Sequence, residues 1–492
     1  MAKIIMIQGT MSGAGKSLLC AALCRIFRQD GLRVAPFKSQ NMALNSYITR
    51  DGLEMGRAQV VQAEAAGVEP DVRMNPILLK PSSDTGSQVI VLGEVWGQMG
   101  AAEYYRKKES LKPVIRRAFD SLAAQYDVIV IEGAGSPAEI NLREHDIVNM
   151  GLAQMLDAPV LLAGDIDRGG VFAQLYGTVA LLEPEERQRI VGLVINKFRG
   201  DPEILRPGLK MLEERAGIPV LGVVPYIRAD IDDEDSLSTR LDQRQAHRPV
   251  DVAVIRLPRI SNFTDFSPLE AHPALGVRYV ERVEELGAPD LVILPGTKNT
   301  MEDLLWLRQN GLEAAILKLA AADTPVLGVC GGYQMLGRKL SDPLGVEHGG
   351  ELAGMGLLPQ ETVFTGEKTR TRVSAVVQAP QMRGAAIEGY EIHMGRTTGG
   401  GEPFCTLSDG RTEGAWRGDV WGTYLHGLFD TGELTAALAR WLLERKGLHP
   451  EDAVPESHWA YKERQYDLLA RQVRENLDLK AIWKAMEDYK HG

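Results

Sequence analysis

Cys330 is the side chain best placed for covalent chemistry. A β-rich run, Thr324-Pro325-Val326-Leu327-Gly328-Val329, drives into it, Gly331 and Gly332 follow, and Tyr333, Met335 and Leu336 begin a helical pattern. Strand, sharp turn and helix, with a reactive side chain at the turn, is the logic of a nucleophile elbow with sulfur in place of hydroxyl. Glycines on both sides allow the tight turn. A helix N-terminus beside the sulfur favours a thiolate and a developing oxyanion. The competing reading is a buried structural cysteine, because free cysteines are among the most buried residues. A cysteine nucleophile needs a base or ion-pair partner that the fold brings close. Two later segments, Gly389–Gly395 and Val420–Gly427, read as strand ends carrying His393 and His426. His426 is preferred, because it ends an apolar strand and precedes a glycine turn; His393 is the reserve.

The second chemical signal lies at the start of the chain. Lys3–Gln8 is a near-continuous apolar strand, followed by Gly9, Thr10, Met11, Ser12, Gly13, Ala14, Gly15, Lys16 and Ser17, then an apolar helix from Leu18 to Phe27. This is a phosphate-binding loop in its proper strand–helix context. Its N–H groups and the helix dipole suit phosphate oxygens. Lys16 would pair with the β/γ-phosphates of ATP and Ser17 with Mg²⁺. The spacing departs from the common form, with five residues between Gly9 and Gly15.

Asp127–Ser136 is a buried-type strand ending in Glu132 and a glycine turn. Glu132 would hold Mg²⁺ directly or through water. Asp51 either caps the following helix or reaches the same metal. Strand ends in such sheets face the ligand crevice. Lys38, Gln40 and Asn41 are therefore substrate candidates, and Asn196 is placed to read a purine edge. Asp165, Asp167 and Arg168 end another strand; they bind metal, phosphate or substrate, or merely fix their loop.

Strands alternating with helices imply a parallel sheet covered on both faces. Residues 1–228 read as an ATP-binding domain, and the charged, apolar-poor stretch 229–249 as a linker. Val250–Leu257 opens a second strand series. Within it, Asp290–Leu294 is a strand and Thr300 an N-cap for a helix through Leu307. This second domain spans 250–445, with residues 430–446 as an amphipathic helix. Residues 446–492 read as a helical C-terminal appendage.

A chain of 492 residues suits several cores, and its 44% hydrophobic and 25% charged content is ordinary for globular proteins. No apolar run reaches the roughly 18 residues of a membrane span, and the first residues lack a signal peptide's pattern. The four scattered cysteines give no disulfide framework, so a reducing cytoplasm is expected; Cys20 and Cys24, one helical turn apart, read as core. A net charge of −11 argues against general nucleic-acid or anionic-membrane binding, though not against an anionic small substrate.

Gly328-Val329-Cys330-Gly331-Gly332-Tyr333 with Thr423-Tyr424-Leu425-His426-Gly427 resembles a class I glutamine amidotransferase. The long phosphate loop with Glu132-Gly133-Ala134-Gly135 resembles the dethiobiotin synthetase branch of P-loop enzymes. Both on one chain, in this order, resemble the cobyrinate amidating enzymes. Lys38–Met42, Met74–Pro81, Asp165–Ala173 and Ser261–Phe266 are similar to motifs of that family's cobyric acid-forming branch.

The resemblance implies a P-loop NTPase-type α/β domain followed by an amidotransferase-like α/β domain. It implies an ATP- and glutamine-dependent ligase that amidates the b, d, e and g carboxylates of a corrinoid, adenosylcobyrinic acid a,c-diamide. Cys330 would attack glutamine, His426 would move the proton, and Gly296 and Gly331 would form the oxyanion hole. Class I members usually place Glu two residues after the catalytic His. Here that residue is Leu428, as in the cobyrinate subgroup, which leaves a carbonyl or another acid to orient His426. The nearest alternatives are an a,c-diamide synthase or a cell-wall amidating enzyme; a more distant one is a nucleotide-switch ATPase.

Overall fold

The computed structural model describes residues 2–81, 86–232, 248–449 and 457–489. Most of the charged boundary stretch, residues 233–247, lies outside them. The chain divides into two compact units. One comprises Met1–Ala43, Glu54–Ile231 and Lys462–Gly492; the other comprises Leu44–Leu53 and Asp232–Tyr461. No described helix is long and apolar enough to cross a membrane.

In the first unit, six strands form a parallel sheet: β1 (Lys3–Gly9), β2 (Val34–Phe37), β3 (Val128–Glu132), β4 (Val160–Asp165), β5 (Ile190–Phe198) and β6 (Val220–Pro225). Their order is β6-β5-β4-β1-β3-β2. β1, β3 and β4 are buried almost throughout, which explains their unbroken apolar runs. The register sets Ile7 beside Glu132, Gly9 beside Ala163 and Asp165 beside Asn196. The polar ends of these strands therefore share one edge of the sheet, where ligands of open α/β sheets bind. Helix α1 (Lys16–Gln29) follows β1 and buries Leu19, Leu23 and Ile26, together with Cys20 and Cys24.

The C-terminal helices do not hang off the molecule as an appendage. Tyr466, Leu469, Ala470, Val473, Leu477, Ile482 and Met486 join the same apolar cluster as Ile5, Leu19 and Phe27. Arg25 of α1 pairs with Glu463 and Asp467, both at 2.8 Å. Leu477 bridges to Gly222 of β6. A Cβ on Gly222 would lie 2.2 Å from the Asn476 carbonyl oxygen, so glycine is required for this approach. Residues 462–489 thus complete the first unit's core, a role their amphipathic spacing could not assign.

The second unit has its own sheet: β7 (Val250–Ile255), β8 (Leu275–Val280), β9 (Leu291–Leu294), β10 (Val326–Val329), β11 (Ala415–Arg417) and β12 (Val420–Thr423). The order is β8-β7-β9-β10-β12-β11, parallel except for β11. A mainly antiparallel sheet is built on the paired strands Gln360–Val377 and Ala386–Gly399. The two-residue strand Leu425–His426 pairs with the latter. The chain therefore leaves one sheet after Thr423 and enters the other at Leu425, which fixes where His426 sits.

Candidate functional site

In the second unit, Cys330 stands between β10 and the short helix Gly331–Leu336. Its φ of 51° and ψ of −105° are strained for a residue with a Cβ, as an elbow demands. Three contacts hold the turn. Cys330 N–H donates to the Thr423 carbonyl at 2.8 Å, Gly332 N–H to Pro295 at 3.0 Å, and Gln334 N–H to Cys330 at 3.0 Å. A Cβ on Gly332 would lie 1.9 Å from the Leu294 carbonyl oxygen, so the helix packs too closely on β9 for any other residue.

His426 is buried, and the Cys330 sulfur is one of the groups that favour its protonated form. Its Nδ1 lies 2.6 Å from Oδ2 of Asp265, whose Oδ1 accepts the Gly427 N–H at 2.8 Å. Asp265 sits on a 3-10 turn, Phe263–Phe266, anchored by two buried phenylalanines. Cys330, His426 and Asp265 have the arrangement that a nucleophile, its base and an orienting acid require. Burial alone would push the His426 imidazolium down, but the Asp265 carboxylate and the Cys330 sulfur outweigh it and lift the ring to about 10. The proton therefore stays on His426 at neutral pH.

Asp265 answers the question that Leu428 raised, and Leu428 itself is fully buried in the core. Nothing in the residue type of Asp265 marks it as the partner of His426. The available signal was an acid flanked by Phe263 and Phe266, a setting that buries a carboxylate only if it has a partner.

His393 lies within its strand rather than at the end. Its ring stacks on Tyr424 at 3.7 Å, and its Nδ1 faces the Gly395 carbonyl at 2.8 Å. Gly296 lines the His426 ring, since a Cβ there would approach Cε1 at 3.0 Å; a Cβ on Gly331 would lie 3.1 Å from the Thr297 nitrogen. The helix beyond Gly296 is capped one residue earlier than expected. The extended Asn299, not Thr300, accepts the Glu302 N–H at 3.1 Å.

In the first unit, Gly13 and Gly15 take φ of 75° and 88°, the left-handed turns that curl the loop ahead of α1. Thr10 N–H reaches the Ala163 carbonyl at 2.9 Å, and its hydroxyl donates to Gln174. Ser12 is exposed at the tip. Lys16 Nζ donates to the carbonyls of Met11 (3.1 Å) and Gly135 (2.9 Å), tying the loop to the turn after Glu132. Asn196 Nδ2 donates to the Ala14 carbonyl at 2.9 Å, which braces the loop.

Glu132 is the hub. Its Oε1 accepts from Ser17 Oγ (2.8 Å) and Lys38 Nζ (3.0 Å), and its Oε2 accepts from Gln62. Lys38, read as a substrate ligand, is thus buried in an ion pair. Ser17 and Glu132 are the hard oxygen donors that Mg²⁺ takes alongside water. Gln62 Oε1 on the same flank is buried without a hydrogen-bond partner among the described residues. The residues fit such a cation. Asp51 is exposed in the Thr49–Leu53 turn, within the segment Leu44–Leu53 that clusters with the second unit.

Gln40 accepts from the Tyr104 hydroxyl, and the buried Asn41 donates to Gln59. Asp165 is buried, pairs with Lys197 at 2.8 Å and accepts the Asp167 N–H; Asp167 pairs with Arg199. These ion pairs tie the two acids to the end of the neighbouring strand, and Arg168 is exposed beside them.

Residues 5–237 match the CobQ/CobB/MinD/ParA nucleotide binding domain, and residues 251–434 the CobB/CobQ-like glutamine amidotransferase domain. The chain is 59% identical to a Cobyric acid synthase of Ruminiclostridium cellulolyticum, over 99% of this chain and 98% of the relative. It is 56% identical to that of Lachnoclostridium phytofermentans, over 99% and 100%, and 53% identical to that of Yersinia enterocolitica, over 99% and 98%. The chain belongs to the cobyric acid synthase family.

Proposed function

We propose that this protein is a glutamine-hydrolysing ligase. It amidates the b, d, e and g carboxylates of adenosylcobyrinic acid a,c-diamide, using ATP and glutamine, and yields adenosylcobyric acid. The observation that carries this reading is identity of 53–59% along nearly the whole chain with relatives named Cobyric acid synthase, which spans both units. A carboxylate is a poor electrophile, and ammonia in neutral water is mostly protonated; each unit addresses one of these problems.

In the second unit, Cys330 Sγ attacks the side-chain amide carbon of glutamine. The tetrahedral oxyanion is met by backbone N–H groups of the Gly296 and Gly331 segments. His426 gives its proton to the departing nitrogen, ammonia leaves, and a glutamyl thioester remains. Water, deprotonated by His426, then attacks the thioester, and glutamate and the thiolate are released. Asp265 holds the imidazole in line and keeps it protonated for the first step.

In the first unit, the loop Gly9–Ser17 holds the triphosphate of ATP. Lys16 lies where charge develops as the γ-phosphoryl passes to a corrinoid carboxylate, making an acyl phosphate. Ammonia displaces the phosphate and leaves the carboxamide. Ser17 and Glu132 would hold Mg²⁺, which when bound neutralises phosphate charge. Lys38 pairs with Glu132 at 3.0 Å and would hold that carboxylate in position. The corrinoid is the only partner this chemistry requires, and the cytoplasm is where it would proceed. Incubation with cobyrinic acid a,c-diamide, ATP and glutamine, followed by mass spectrometry, tests the reading. Amidation of a different corrinoid position, or of none, overturns it.

A further inference from the structure

Several buried polar atoms of the second unit make no hydrogen bond among the described residues, and three of them belong to residues lining one cavity of about 540 Å³: Oε1 of Gln360, Oε2 of Glu391 and Nε2 of His393. The last two are neighbours on one strand. Residues 391 and 393 alternate with Ile392 along one strand, so their side chains share a face. The Ile392 carbonyl between them lies 3.7 Å from Cys330 Sγ.

The chemistry of the pair is unusual. His393 Nδ1–H donates to the Gly395 carbonyl, and stacking on Tyr424 locks the ring. In the neutral ring, Nε2 is then a bare acceptor. It faces Glu391 Oε1 at 3.9 Å, one acceptor opposite another. Arg411 reaches only to 3.8 Å from Glu391 Oε2, beyond hydrogen-bond length. Buried acceptors left in this way are costly, and a carboxylate more so than a neutral group. What satisfies both is a small cationic group with several N–H donors.

Glutamine carries one such group. Its amide carbon and its α-nitrogen are four bonds, roughly 5 Å, apart, and the Ile392 carbonyl, between the two side chains, is 3.7 Å from Cys330 Sγ. We propose that Glu391 and His393 bind the α-ammonium group of glutamine while its amide meets Cys330. This assignment rests on the reading of Cys330 as the glutaminase nucleophile. It makes the pair the device that separates an amino acid amide from other amides.

The test compares glutamine with glutaramate, which has the same amide and lacks the α-amino group. Alkylation of Cys330 by a chloroketone analogue of glutamine and by iodoacetamide is followed in parallel. In Glu391→Gln, kcat/KM for glutamine should fall about 10- to 100-fold, mostly through KM, as the loss of a charge-assisted hydrogen bond requires. Glutaramate should change less than about twofold on the same principle, so the preference collapses. Chloroketone labelling should slow while iodoacetamide labelling holds. If Glu391→Gln does not fold, His393→Gln carries the same comparison. An unchanged preference, or equal loss with both amides, overturns the assignment. If the chloroketone fails to label Cys330 in the unaltered protein, the nucleophile reading falls, and the assignment falls with it.

Discussion

Asp265 Oδ2 lies 2.6 Å from His426 Nδ1, although 161 residues separate the two in the chain. The same carboxylate accepts the Gly427 N–H, so ring and turn are held by one acid. Asp265→Asn should lower glutamine-dependent turnover by about 100-fold or more, because the ring loses the partner that sets its orientation. Steady-state kinetics with glutamine and with ammonia separate this from unfolding: the ammonia-dependent rate should persist.

The same variant has a pH signature. His426 is raised to about 10, so the proton it donates is present below that value and lost as pH rises through it. Removing the carboxylate leaves burial to push the ring down. The alkaline limb of the glutaminase pH profile should therefore move to lower pH in Asp265→Asn. An unmoved limb would mean that Asp265 does not set the His426 proton.

Cys330→Ser should abolish glutamine-supported amidation and keep the ammonia-supported reaction. Assays with the two nitrogen sources decide it. Loss of both would show that the two chemistries are not divided between the units.

Lys16→Ala should stop amidation with either nitrogen source, since Lys16 ties the phosphate loop to the Gly135 turn and supplies the charge that phosphoryl transfer needs. Hydrolysis of glutamine to glutamate, followed in the same sample, should continue. Amidation at the original rate would remove the first loop from the mechanism.

How far these sites could be read from sequence depended on distance along the chain. Gly9–Ser17 and Val326–Leu336 carry their whole signal within one strand–turn–helix, so loop and elbow were legible residue by residue. Asp265 carries no local sign of its partner, because only folding brings it to His426. Lys38 was legible as a strand-end charge, but its partner Glu132 lies 94 residues on. Asp51 lies in a short segment that clusters with the second unit, which its place in the chain does not show. The helices after Lys462 showed an apolar face, and periodicity alone cannot say which core a face will cover.

Gly222→Ala tests that last point. The added methyl would collide with the Asn476 carbonyl and the Leu477 side chain. Overpacking of this kind costs about 1–3 kcal/mol, so Tm should fall and protease sensitivity of the C-terminal helices should rise. An unchanged Tm would mean that the helices do not rely on this contact.

The central claim is that one chain moves the amide nitrogen of glutamine onto four corrinoid carboxylates at the expense of ATP. The most direct measurement uses glutamine labelled at its amide nitrogen, ATP and cobyrinic acid a,c-diamide, with the product read by mass spectrometry. The account predicts label in the b, d, e and g carboxamides, none without ATP, and none from Cys330→Ser supplied with glutamine alone. Glutamine and ATP turnover with no labelled corrinoid would contradict it.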